Sequence, residues 1–329
     1  MVDDRPQRRP RRLRRTPALR RAFAETAISP SRLVLPVFVR EGIDRPVAVP
    51  SLPGIYQHGV DGVAEVGQAA VEAGVGGLLL FGVPEHKDAA GSAGWDADGP
   101  VPAALRQLRR AVGDELVLWA DVCQCEYTDH GHCGPLGPDG QVDNDRAVDG
   151  YVRDAVAYAE AGADVVAPSG MMDGQVAAIR AGLDAEGHHG VALVAYAAKF
   201  ASSFYGPFRD AAGSALQGGD RAGHQLDPGN GREARLELDL DAAEGADALM
   251  VKPAMSYLDV VADARARHEL PVAAYQVSGE YAMIHAAGER GWLDAPAAME
   301  EAVRSIHRAG ADLVVTYAAM ELARGGARD

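Results

Sequence analysis

Residues 191–199 read VALVAYAAK, eight apolar residues that end on a lysine. The run is too short for a buried helix and shows no polar alternation, so it fits a strand covered on both faces, as in a parallel sheet. Seven more runs share that character: LVLPVFV (33–39), GLLLFG (77–82), LVLWADV (116–122), VVAP (165–168), ALMVKP (248–253), PVAAYQV (271–277) and LVVTYA (313–318). Four of the eight follow similar punctuation, Ala73-Gly74-Val75-Gly76, Ala161-Gly162-Ala163-Asp164, Glu244-Gly245-Ala246-Asp247 and Ala309-Gly310-Ala311-Asp312. A glycine there ends a helix in a left-handed conformation and turns the chain into the next strand.

Between the strands, helical apolar spacing marks 60–73, 101–112, 145–161, 232–244 and 296–309. Eight strands alternating with helices predict an α/β fold, a (β/α)8 barrel, with an open doubly wound sheet as the alternative. The 329 residues exceed a minimal barrel by three pieces: an arginine-rich arm, a Gly/Asp-rich loop at 85–99 and a Gly/Ser-rich stretch at 202–231. The expected organisation is therefore an N-terminal arm (1–30) that makes oligomer contacts, followed by a catalytic barrel (31–329). The stretch at about 202–231 would be a lid over the C-terminal face.

Composition excludes several classes. With 47% hydrophobic and 24% charged residues the chain is neither disordered nor collagen-like, and no apolar run reaches membrane-spanning length. The formal net charge is −15 although residues 1–21 hold nine arginines against two aspartates, so the body is strongly acidic and repels nucleic acid and anionic membrane. The arm reads as a partner-wrapping segment, with a targeting peptide or a polyanion-binding tail as alternatives. It lacks an apolar signal core. Three clustered cysteines argue against a disulfide framework and for a reducing, cytoplasmic setting.

Of 32 basic residues only three are lysines, Lys87, Lys199 and Lys252. Arginine cannot serve as an amine nucleophile, so lysines that survive at the ends of two apolar strands call for a chemical explanation. In a barrel all strand C-termini share one mouth. There, a desolvated amine beside a second cation is favoured in its neutral form and can attack a ketone to give a Schiff base. Two such lysines imply two carbonyl substrates. Snorkelling or ion-paired lysines are the bland alternative, and Lys87 reads as a solvated charge.

Cys123, Cys125 and Cys133 lie in DVCQCEYTDHGHCG (121–134), where three thiolates can converge on one soft divalent ion, zinc by default. Three protein ligands leave a fourth position open for chemistry. Unliganded buried thiols, or a structural site completed by His130 or His132, are the alternatives. Other strand-end and lid residues complete the candidate set. Asp121 and Asp173 could move a proton or orient Lys199, and Ser169 closes another strand. Arg209, Arg221 and the neighbouring Gln225 could clamp a carboxylate from the lid, and Ser278 and Tyr317 could hold a second one by hydroxyl donation.

Taken together, the segments RPRRLRRTPALRR, LVLPVFVREG, DVCQCEYTDHGHCG, APSGMMDGQVAAIR, KFASSFYGPFRDAAGSAL, ALMVKPAMSYLDVV, YQVSGEYAMI and AGADLVVTYAA resemble the porphobilinogen synthase (5-aminolevulinate dehydratase) family, in order and over nearly the whole chain. The resemblance implies a (β/α)8 barrel, a homo-octamer built through the arm, and condensation of two 5-aminolevulinate molecules to porphobilinogen in heme biosynthesis. By motif match it implies that Lys252 is the Schiff-base lysine of the propionate-side substrate and Lys199 that of the acetate-side substrate. Arg209, Arg221 and Gln225 would hold the acetate-side carboxylate, and Ser278 and Tyr317 the other. The three cysteines match the zinc-dependent branch, and Glu233 matches an allosteric magnesium position found in some members. Ala222 and His224 depart from the family pattern, where many relatives have a basic residue and a tyrosine.

Overall fold

The computed structural model describes residues 8–325; the first seven residues of the expected arm and the last four of the barrel segment lie outside the described residues. Ten strands are present: β1 (Leu33–Arg40), β2 (Val47–Ala48), β3 (Tyr56–His58), β4 (Gly77–Val83), β5 (Val117–Val122), β6 (Val165–Pro168), β7 (Ala192–Lys199), β8 (Ala248–Lys252), β9 (Val272–Gln276) and β10 (Leu313–Thr316). The helices are α1 (Pro17–Ala22), α2 (Val63–Ala73), α3 (Pro100–Val112), α4 (Asn144–Glu160), α5 (Gln175–Ala185), α6 (Gly206–Ala212), α7 (Gly231–Ala243), α8 (Leu258–Arg267), α9 (Ser278–Glu289), α10 (Ala295–Ala309) and α11 (Ala319–Gly325).

Strands β1 and β4 through β10 pair in parallel, each with the next, and β10 pairs back onto β1. Closure of that ring excludes the open sheet and establishes the expected (β/α)8 barrel. The eight apolar runs are its eight strands. The small β2–β3 pair, which the apolar pattern does not predict, extends the sheet from the end of β1.

Side chains alternate between the two faces of each strand. One buried cluster fills the interior with Val34, Phe38, Leu79, Phe81, Trp119, Val194, Tyr196, Met250, Tyr275 and Val315. The intervening residues, among them Leu33, Leu35, Leu78, Leu118, Leu193, Leu249 and Val314, pack outward against the helices. Strand β7 breaks the alternation. Its register against β8 runs from Ala195↔Leu249 to Ala198↔Val251, one residue more on β7 than on β8, which is a β-bulge. Ala197 and Ala198 both join the outer cluster, and Lys199 returns to the inside, paired in register with Lys252.

The repeated glycines behave as expected, with positive φ at Gly74, Gly162, Gly245 and Gly310. The aspartates that follow three of them have a role the pattern did not disclose. Asp164, Asp247 and Asp312 each accept a hydrogen bond from the backbone N–H of the preceding barrel strand, at Leu118 (2.8 Å), Leu193 (2.7 Å) and Val272 (3.0 Å). They stitch neighbouring strands together at the end of the barrel opposite the lysines. Replacing Asp247 by Ala leaves the Leu193 N–H unpaired, so unfolding free energy is expected to fall by about 1–3 kcal/mol. Urea denaturation measures that loss, and turnover of the folded variant is expected to stay within about twofold of the parent because the stitch lies away from the mouth.

Candidate active site

The inward positions end in chemistry. Asp121 is the penultimate residue of β5, Ser169 follows β6, and Lys199 and Lys252 close β7 and β8; all four are buried. They line one narrow cavity together with Cys125, Glu126, Phe81, Tyr205, Phe208 and Arg221. Ser169 donates its hydroxyl to Asp121 Oδ2 at 2.8 Å, and Lys199 Nζ donates to the Ser169 carbonyl. Burial raises the Asp121 carboxyl above its usual range, against the opposing charges of Lys252 and Lys199.

The two amines sit in opposite environments. Lys252 Nζ is walled by rings, 4.2 Å from the centroid of Tyr275, 5.0 Å from Tyr196, 5.2 Å from Phe208 and 5.5 Å from Tyr205. Burial and repulsion from Lys199 pull its pKa down to about 7. Burial acts on Lys199 in the same sense, but the sulfurs of Cys123 and Cys133 and the carboxylate of Asp121 together outweigh it and hold that amine above its ordinary range. One lysine is thus poised as a neutral nucleophile near neutral pH and its neighbour as a cation, a division made by surroundings alone.

The three cysteines are buried and free, with ligand atoms all within 4.8 Å of one another. Their sulfurs exchange hydrogen bonds, and burial and mutual repulsion add to this, so Cys123 and Cys125 stand well above the ordinary thiol range and Cys133 is pushed up to about 11. Cys125 also donates to Glu126 Oε2 at 3.0 Å. Three soft donors packed this closely, and too protonated to stand alone as thiolates, fit a soft divalent cation, which removes the repulsion and makes all three thiolates at once. Together they fit a metal site. His130 and His132 belong to the same loop, but the Nε2 of His132 is taken up by the Gly218 carbonyl at 3.0 Å and the cluster of ligand atoms contains neither ring.

The stretch at 202–231 opens with α6 and then crosses onto the cysteine loop. Arg221 is buried and donates to the carbonyls of Gly131 (2.8 Å) and Ser214 (3.2 Å), and Gln217 Nε2 donates to the Asp129 carbonyl at 2.7 Å. Arg209 Nε, Arg221 Nε and Gln225 Nε2 are buried without a partner among the described residues, which leaves donors free for an anion. Burial and the nearby cations Lys199 and Arg221 push His224 down to about 3, so it is neutral there. Ser278 Oγ opens α9, where it accepts from the Phe208 N–H at 3.0 Å, and the Tyr317 hydroxyl accepts from Tyr275 at 3.3 Å. Ser278 contacts the head of the lid, whereas Tyr317 stays with the ring wall of the interior.

Two candidates lie elsewhere. Asp173 and Glu233 line a separate cavity with Glu237, Asn144, Gln141 and the lid residues His224 and Gln225. Lys87 is not simply solvated, since its Nζ donates to the Gly213 carbonyl at 2.7 Å. The ring wall of Tyr196, Tyr205, Phe208 and Tyr275 was not anticipated. The bulge hides Tyr196 from the sequence, because two-residue steps back from Lys199 land on Ala197 and Ala195, which face outward.

A closed parallel barrel with a cluster of amines, carboxyls and thiols at its mouth is the architecture of a (β/α)8-barrel enzyme. Residues 7–325 match the family described as Delta-aminolevulinic acid dehydratase. The chain is 58% identical over 320 residues to the Mycobacterium tuberculosis (strain CDC 1551 / Oshkosh) protein of that name, covering 97% of each, and 50% identical over 315 residues to that of Escherichia coli K12, covering 96% of each. It also superposes with a TM-score of 0.94, at 42% identity, on the Toxoplasma gondii ME49 delta-aminolevulinic acid dehydratase (porphobilinogen synthase) solved with its product porphobilinogen, covering 97% of this chain and 92% of that one. The chain belongs to the delta-aminolevulinic acid dehydratase family, a family of hydro-lyases.

Because metal binding must strip the thiols of their protons, loading the metal-free protein at pH 8 is expected to release roughly two to three protons per ion. A lightly buffered solution with an indicator dye reads that release, and loading without proton release would contradict the thiol assignment.

Proposed function

We propose that this chain condenses two molecules of 5-aminolevulinate into porphobilinogen, with loss of two waters, through Schiff bases on Lys252 and Lys199. The observation that carries the reading is the in-register pair of inward lysines, one depressed to about 7 and the other held cationic. Neutral Lys252 attacks the ketone carbon of the first substrate, and water leaves as the iminium forms. The iminium withdraws electrons from the adjacent carbon and acidifies its proton. The second substrate binds beside it, where Lys199 passes its proton to Asp121 and attacks the second ketone carbon, and a second water leaves as that iminium forms. Carbon–carbon joining, imine formation between the substrates and return of both lysine amines complete the ring.

Joining two identical flexible molecules in one sense requires two unlike sub-sites. Arg209, Arg221 and Gln225, each with a buried donor that has no partner among the described residues, would hold the acetate-side carboxylate; Ser278 and Tyr317 would hold the propionate-side one. Asp121, bonded to Ser169 and raised by burial, is positioned to exchange a proton beside both amines. Zinc is the ion that best suits Cys123, Cys125 and Cys133, and when bound it supplies Lewis acidity toward the acetate-side substrate. Hard oxygen donors at Glu233, Glu237 and Asp173 suit magnesium in a regulatory role instead. The arm carries Leu13 and Phe23 largely exposed and buries none of the side chains of α1, which supports wrapping around a neighbouring subunit, and a homo-octamer. We place the enzyme in the cytoplasm, as the three free thiols favour. No helix among the described residues is long and apolar enough to cross a membrane.

The direct test is formation of an Ehrlich-positive pyrrole from 5-aminolevulinate. Borohydride with labelled substrate is expected to fix label on Lys252, and Lys252→Arg to abolish turnover; an active Lys252→Arg enzyme would overturn the assignment. Since the neutral amine is the reactive form and its pKa is about 7, kcat/KM is expected to fall about tenfold per pH unit below 7 and to level off above it. A strong chelator should remove activity and zinc with a reductant restore it, whereas activity in verified metal-free protein would exclude the zinc role.

A further inference from the structure

The Gly/Asp-rich loop at 85–99 takes no part in the chemistry above, yet it runs beside the metal loop. The Asp88 N–H donates to the Tyr127 carbonyl at 3.3 Å and the Asp129 N–H donates to that of Asp88 at 3.0 Å. Its glycines lie against two side chains. A Cβ on Gly91 would stand 3.1 Å from Cβ of Gln124, and one on Gly94 would stand 2.4 Å from Asp154 Oδ1. From the other side, a Cβ on Gly150 of α4 would fall 1.9 Å from Gln124 Nε2. Asp154 is one helical turn beyond Gly150, on the same face of α4. Three glycines from two elements therefore form a socket around one amide and one carboxyl.

Gln124 and Asp154 are both 0% exposed, and neither amide atom of Gln124 nor either oxygen of Asp154 has a partner among the described residues. Buried polar atoms are costly unless paired, and internal water is their usual partner. Burial pushes the Asp154 carboxyl well above its usual range, so it enters the socket neutral and can donate as well as accept. Gln124 stands between Cys123 and Cys125, so whatever holds its side chain sets the direction in which both sulfurs leave the backbone.

We propose that Gln124 and Asp154, packed in the glycine socket, form a positioning pair that anchors the metal loop to α4 and holds Cys123 and Cys125 in ligating geometry. The inference rests on the reading of the three cysteines as a metal site. Groups that orient metal ligands contribute 10- to 100-fold in affinity.

The test measures zinc affinity by competition with a chromophoric chelator, and the thiolate-to-metal absorption of the cobalt-substituted protein, in the full-length chain. Asp154→Leu is expected to weaken zinc binding 10- to 100-fold and to alter the cobalt spectrum, whereas Asp154→Asn, which keeps the hydrogen bonding, stays within about threefold. Gly150→Ala fills the socket and is expected to weaken binding likewise, although alanine is the better helix former. Folded Asp154→Leu with parental affinity and cobalt spectrum would overturn the proposal, and so would Gly150→Ala with parental values if Asp154→Leu fails to fold. If the parent protein itself binds neither ion, the metal reading falls; if it binds and the variants match it, only the positioning pair falls.

Discussion

A side chain on a barrel strand has two destinations, and the two-residue period decides between them. Followed in strict alternation from Val194 and Tyr196, β7 would send Ala198 inward and Lys199 out among the helices. The bulge inserts the extra residue that reverses this. With Lys199 and Lys252 paired across adjacent strands, which lie about 4.8 Å apart, the charge of Lys199 lowers Lys252, while Lys199 itself answers to the cysteines and Asp121. The barrel bears the cost of two neighbouring cations in a dry interior by lowering the pKa of one and compensating the other.

Compensation runs in one direction across the mouth. The thiols and Asp121 lie toward Lys199, while aromatic rings surround Lys252 and offer little that can stabilise a full charge beyond their faces. A nucleophile and a cation thus arise from the same residue type without a change in backbone position. Glu126, raised to about 7 by burial and by Asp121, extends the same crowding toward the metal loop.

Much of this was legible in the sequence. The apolar runs and the glycine punctuation predicted every barrel strand to within a residue or two, because burial on both faces leaves a dense apolar record. Lysine scarcity marked Lys199 and Lys252, which the barrel pairs in register, and the cysteine spacing marked three thiols that the fold brings together. The record failed where structure depends on parity or on empty space. The bulge adds one alanine to a run of alanines, and nothing in AYAAK says which of them is extra. The stitching aspartates look like ordinary turn residues until their partners one strand away are known. Glycines 91, 94 and 150 look like flexible loop or a weak point in a helix, although each marks a place where another side chain needs room.

The way residues 202–231 rest on the cysteine loop bears on how freely their sequence can vary. Arg221 and Gln217 reach across to the carbonyls of Gly131 and Asp129, and His132 meets that of Gly218. A carbonyl oxygen is present whatever residue supplies it, so the fit between this stretch and the cysteine loop needs only the side chains of Arg221, Gln217 and His132 and the path of the main chain. Substitutions such as Ala222 and His224 can then accumulate in this segment, altering what it shows to a substrate while leaving the place where it rests unchanged.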